Sequence, residues 1–167
     1  MFSQRILAVL SLAAASVSAI DLRFFNQNNC GRNYWVSCNS ANPGYCCFTT
    51  NEDYTISAGL FAIPRDWSLV CQWWDQTGCS SGQLKATNLN YGADYVCKGT
   101  PVSGQHWVHG LSYQFNGRKR ELKAGPTEGC QRANTLHLDD GSEYDLTNMS
   151  NATYSEVVSG WFITSRS

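Results

Sequence analysis

Eight cysteines constrain this chain more than any other feature, because an even set in an exported polypeptide reads as a framework of disulfides. They stand at Cys30, Cys38, Cys46, Cys47, Cys71, Cys79, Cys97 and Cys130. The intervals hold seven, seven, zero, twenty-three, seven, seventeen and thirty-two residues, which lacks the paired C-x2-C spacing of a zinc site. Cys46 and Cys47 are adjacent, and a bond between neighbours strains the ring that it closes, so the two point to different partners. Eight cysteines allow 105 pairings and six allow 15, so excluding the bond between neighbours leaves about 90. The expected pattern has four bonds: Cys30, Cys38, Cys46, Cys47, Cys71 and Cys79 staple one another, and Cys97 joins Cys130. A cysteine left free in each molecule would open the way to a disulfide-linked homodimer.

The export that this framework needs is written at the N-terminus. Residues 1–19 hold one basic residue, Arg5, then an apolar run from Ile6 to Ala15, then Val17-Ser18-Ala19 where a signal peptidase would cut. The apolar run is shorter than the roughly 20 residues that cross a bilayer, and no later run reaches that length, so no membrane association is expected. Residues 20–167 then form one disulfide-rich β domain, secreted and extracellular. Without Arg5 the chain has eleven basic against thirteen acidic side chains, which excludes the strongly basic surface of a nucleic-acid binder.

Short aromatic bursts separated by Gly, Asn and Ser predict strands and turns, and no segment sustains a helical period over three turns. Leu22-Arg23-Phe24-Phe25 and Tyr34-Trp35-Val36 flank an Asn-rich turn and read as a strand pair. Leu111, Tyr113 and Phe115 alternate with polar residues up to Asn116-Gly117, a type I′ turn signal, with residues 118–123 returning as a charged edge. A second hairpin runs from Leu136 and Leu138 through Asp139-Asp140-Gly141 to Tyr144 and Leu146. Val157-Val158 and Trp161-Phe162-Ile163 read as a closing strand, and short helices fit only residues 45–51 or 147–155. The fold class is mostly β: a small disulfide-stapled sandwich, or a βγ-crystallin-like sheet domain, with little helix.

Few constellations could carry chemistry. Asn148 and Asn151 both open N-x-S/T acceptor sequences in a polar surface loop, and crowding favours one glycan over two. Trp73-Trp74, with Trp35, could offer an aromatic platform to a sugar or a protein, although core filling is the plainer role for such side chains. Lys119-Arg120 resembles a dibasic processing site, against which stands a paired strand that resists cutting. His106 and His109 would face opposite ways on a strand, and Asp139, Asp140, Glu143 and Asp145 match no calcium loop, so no metal or other cofactor is expected. No nucleophile elbow or catalytic residue is found, and the expectation is a protein that is not an enzyme.

Residues 22–86 resemble small secreted cysteine-rich proteins of filamentous fungi, among them virulence effectors of plant pathogens. The resemblance is carried by Leu22-Arg23-Phe24-Phe25, Cys30-Gly31, Trp35, Pro43 with Cys46-Cys47, Ile63-Pro64, Trp67, and Cys71 through Gly78-Cys79. Phe25, six positions before Gly31, also resembles the start of a βγ-crystallin unit. The resemblance implies a secreted effector that binds a host plant protein, with entry into host cells within its scope. Two other classes remain open: a carbohydrate-binding or cell-wall protein, and a crystallin-like toxin or antimicrobial protein.

Overall fold

The computed structural model describes residues 20–31, 34–50, 55–75, 78–80, 84–99, 108–117 and 129–164. Eleven strands lie there: β1 (Ile20–Phe25), β2 (Trp35–Ala41), β3 (Cys46–Phe48), β4 (Ser57–Phe61), β5 (Leu69–Trp74), β6 (Leu84–Leu89), β7 (Val96–Gly99), β8 (Gly110–Phe115), β9 (Cys130–Arg132), β10 (Thr135–His137) and β11 (Glu143–Asp145). One sheet has the order β11-β10-β2-β1-β4-β7 and the other β6-β5-β8-β3-β9. The strand pair expected around the Asn-rich turn is β1 with β2, in antiparallel register with Phe25 opposite Trp35. The acidic hairpin is β10 with β11.

Period-two alternation explains how the sheets face each other. Ile20, Leu22 and Phe24 of β1, Val36 and Cys38 of β2, and Ala58 and Leu60 of β4 point inward from the first sheet. Leu69, Cys71 and Trp73 of β5 and Leu111 and Tyr113 of β8 meet them from the second. Two buried polar tips reach across: Trp73 Nε1 donates to Ala58 O at 3.0 Å, and Tyr113 Oη donates to Ala41 O at 2.8 Å. Each satisfies a donor that would otherwise be stranded in the core.

The sulfur framework departs from expectation. Cys38–Cys47 ties one sheet to the other, Cys30–Cys97 spans the outer side of the six-stranded sheet, and Cys46–Cys79 lies outside the five-stranded sheet. The neighbours Cys46 and Cys47 do take different partners, and for a simple reason: consecutive strand residues point to opposite faces. Cys97 joins Cys30 rather than Cys130, because β7 and β9 are edge strands of different sheets. Cys71 and Cys130 carry free thiols, so three bonds form instead of four. They cannot meet, since Cys71 faces the core while Cys130 lies three strand positions away, roughly 14 Å at the usual spacing, beyond disulfide reach.

Three local expectations are corrected. Residues expected as the closing strand lie in the helix α1 (Asn151–Thr164). Ser150 Oγ accepts from the Thr153 amide at 3.2 Å, a cap that starts a helix, and Tyr154 and Val158, one turn apart, fill the core. Residues 46–48 form β3 instead of a short helix, held by β8 on one side and β9 on the other. At Asn116-Gly117 only the glycine has positive φ (87°), so the turn is not type I′; the Asn116 amide instead donates to Ser68 O at 2.8 Å. The signal segment, Lys119, Arg120 and His106 lie outside the described residues.

Candidate functional site

The outward side of the six-stranded sheet carries a row of stacked rings and one guanidinium. Alternation that sends Leu22 and Phe24 inward sends Asp21, Arg23 and Phe25 outward, and places them beside Trp35 of β2 and Phe61 of β4. Arg23 sits between the two rings, its guanidinium carbon 5.1 Å from the Trp35 centroid and 4.7 Å from the Phe61 centroid. Trp35 stacks on His137 of β10 at 4.8 Å with 12° between planes, and Phe61 stacks on Tyr95 at 5.7 Å with the same tilt. The row therefore runs His137, Trp35, Arg23, Phe61, Tyr95, crossing the sheet from β10 to the start of β7.

Small neighbours make room for it. Arg23 faces Ser37 on one side and Gly59 on the other. A Cβ at Gly59 would lie 2.5 Å from Val96 O and 3.1 Å from the Phe61 ring, so any larger residue would displace both the β7 edge and the row. Phe25 lies beneath, 5.9 Å from Trp35 and 5.6 Å from Phe61. Cation–π contacts of this kind are worth about 0.5–1 kcal/mol each when exposed and more when water is excluded.

Charge on this face is nearly balanced. Arg23 Nη2 meets Asp21 Oδ2 at 2.8 Å, with side chains 24% and 22% exposed. His137 places Nδ1 3.1 Å from Glu143 Oε1 and Nε2 2.9 Å from Ser37 Oγ. Burial holds its pKa below the ordinary 6.5; the Glu143 carboxylate pulls the other way, and Arg23 adds to the depression. Two buried donors in the row, Arg23 Nε and Trp35 Nε1, have no acceptor among the described residues. Unsatisfied polar groups are rare in folded proteins, and two of them fall side by side in this row.

Next to the row lies the turn from β6 to β7. Asn90 anchors it from the inside, accepting from the Leu69 amide at 2.8 Å and donating to Trp67 O at 2.8 Å. At its tip Tyr91 has φ of 48° and is 87% exposed, followed by Gly92 with φ of 76°. A bulky residue held in the left-handed region costs of order 1–3 kcal/mol, and the strain here presents a ring to solvent. Tyr95, four residues on, is 56% exposed.

The remaining sequence candidates fall elsewhere. Trp73 and Trp74 are fully buried on opposite faces of β5, with Trp74 Nε1 donating to Ser112 Oγ at 2.9 Å, so they build no exposed platform. Only Trp35 of the three reaches the open face. Asn148 is exposed in the turn before α1, and Asn151 is exposed as its first residue. Asn151 Oδ1 accepts from Arg132 Nη1 at 2.6 Å at the rim of a cavity of about 550 Å³. Arg132 lies 4.0 Å over the Tyr154 ring. Asp140 and Asp145 are fully exposed, their pKa values lowered by hydrogen bonds from Ser142 and Thr147, and among the described residues no group of His, Cys, Asp and Glu could hold a metal ion.

Sequence reasoning missed Arg23, Phe61, Tyr95 and His137 as members of one site. The alternation in β1 was enough to place Arg23 outward. Nothing local announces that His137, 100 positions from Ser37, docks beside Trp35.

No curated protein and no solved structure matches the chain. A family model, ARB_05566_N, described as an N-terminal domain, matches residues 21–134. That span covers β1 through β9 and the whole disulfide framework, while β10, β11 and α1 follow it yet contribute Leu136, Leu146, Tyr154 and Val158 to the same core. With well over half of its length matched, the chain belongs to this fungal-type, cysteine-rich and mostly β family, ARB_05566_N.

Proposed function

We propose that the chain is a secreted fungal effector that works by binding a host protein, without catalysis, through the aromatic and arginine row on its six-stranded sheet. The observation that carries this is the placement of Arg23 between Trp35 and Phe61, with Tyr95 open to solvent at the end of the row and Tyr91 exposed on the turn that leads to it. Tyr, Trp, Phe and Arg are the residues enriched at the centres of protein interfaces, and Trp, Tyr and Arg dominate binding energies there. Preorganised rings and a pinned guanidinium lose little freedom on contact, which lowers the entropic cost of association. Export is supported by the N-terminal segment and by the disulfide framework, and the plant host by the resemblance to fungal effectors.

The test is affinity capture from plant extract under non-reducing conditions, with the mature chain, its Arg23→Ala and Trp35→Ala variants, and Lys85→Ala as a control on the opposite sheet. A protein retained by the parent and control but lost by at least 30-fold in both row variants, a hot-spot loss of about 2 kcal/mol, is the expected result. Equal retention by all four chains would sink this reading. Binding to chitin, cellulose or glucan that depends on the same residues would move the chain to the carbohydrate-binding class, and growth inhibition of competing microbes to the toxin class.

A further inference from the structure

We propose that Cys130 is the attacking thiol of an internal thiol–disulfide exchange whose target is the Cys46–Cys79 bond. β3 and β9 run parallel, with Cys46 directly opposite Cys130. Paired residues on neighbouring strands project to the same face roughly 4.8 Å apart, inside the Cα separations of about 4.4–6.8 Å that disulfides span. From the other side, Cys130 Sγ lies 3.3 Å from Gly78 O, the residue before Cys79. Cys46 and Cys79 are joined with their Cα atoms 5.9 Å apart. Three sulfurs thus occupy one patch on the outer side of the five-stranded sheet, and of the three only Cys130 is exposed. The other free thiol takes no part: Cys71 faces the core, where burial pushes its pKa up to about 12.

The step conserves both atoms and electrons. Cys130 loses its proton, and its thiolate attacks Cys46 Sγ; the Sγ–Sγ bond between Cys130 and Cys46 forms as that between Cys46 and Cys79 breaks. Cys79 leaves as a thiolate and takes up a proton. One disulfide and one thiol are present before and after, so no oxidant or reductant is consumed. Attack falls on Cys46 because the product closes across two paired strands, whereas Cys79 stands outside the sheet.

Release of Cys79 has a structural consequence. Cys46, Trp74 and Cys79 form a small buried cluster of their own, flanked by Phe48, and the disulfide supplies two of its three members. Cys79 is held at φ of 46° directly after Gly78 at 89°, a conformation that an untethered cysteine has no reason to keep. Exchange therefore frees the segment that covers Trp74.

Mapping disulfides in the mature chain after incubation at about pH 6 and about pH 9, with free thiols then trapped by rapid alkylation, tests the proposal. Burial raises the Cys130 pKa, so exchange should gain roughly tenfold per pH unit over this range. The expected result is label on Cys130 with Cys46–Cys79 intact at the lower pH, and label on Cys79 with a Cys46–Cys130 bond at the higher. Cys130→Ser should keep Cys46–Cys79 at both. Label confined to Cys130 and Cys71 at both pH values would overturn the proposal, as would a bond between the Cys130 residues of two chains as the sole product. A Cys79–Cys130 bond would overturn the assigned direction of attack.

Discussion

Each sheet carries a tryptophan on its outward side, and the two are treated in opposite ways. Trp74 on the five-stranded sheet is fully buried, its indole N–H is bonded to Ser112, and a disulfide lies against it. Trp35 on the six-stranded sheet is partly exposed, its N–H is buried with no acceptor among the described residues, and its faces are stacked on His137 and Arg23. Similar side chains at similar depths in a strand thus serve different ends. One outer face is closed by sulfur and contributes to stability; the other is left open and ordered by stacking.

The contrast is sharpest in the cost of truncation. Trp74→Ala should lower unfolding free energy by about 3–5 kcal/mol, and Trp35→Ala by only about 1–2 kcal/mol, measured by chemical denaturation of both variants. Equal losses would erase the distinction between a closed face and an open one. A smaller effect is expected with pH. Because the folded His137 has its pKa held below the ordinary 6.5, the unfolded chain binds the extra proton first as pH falls. Its contribution to stability is present above about pH 6.5 and is lost as pH drops through the folded pKa, and His137→Gln should flatten that part of the profile, read as denaturation midpoints across pH. A profile indifferent to the substitution would remove His137 from the row's energetics. The smallest change is expected at Tyr91→Gly, which relieves a left-handed backbone and should raise stability by up to about 1 kcal/mol while weakening capture of the partner. Destabilisation there would mean that the ring is a packing element after all.

How much of this could be read from the sequence follows the range of the interaction responsible. The β1–β2 pair and the β10–β11 hairpin rest on alternation and a nearby turn, and both were legible. Core filling by Trp73 and Trp74 was the plainer sequence reading, but their placement on opposite sides of β5 was not drawn from it, although neighbours on a strand alternate faces. The helix α1 was legible only at its start, in the short helix allowed at residues 147–155; the rest was not, because Val157, Val158 and Ile163 carry a β preference that the Ser150 cap and the packing of Tyr154 and Val158 override. The disulfide partners and the meeting of His137 with Trp35 depend on which strands lie side by side, and that is decided by docking of distant segments rather than by local pattern. The aromatic row itself is therefore half readable: its central Arg23 and Trp35 follow from the first hairpin, and its two ends do not.

The docking of β10 on β2 and of β9 on β3 bears on how such a chain is made. With the chain made N-terminus first, β2 and β3 each leave a bare edge until the last quarter of the chain arrives, and contacts at this separation close slowly. Cys38 and Cys47, only nine positions apart, can be joined long before that, fixing β2 and β3 face to face across the core. Oxidation at that one spot would set the packing of sheet on sheet early and shorten the time for which both edges stand open to foreign strands.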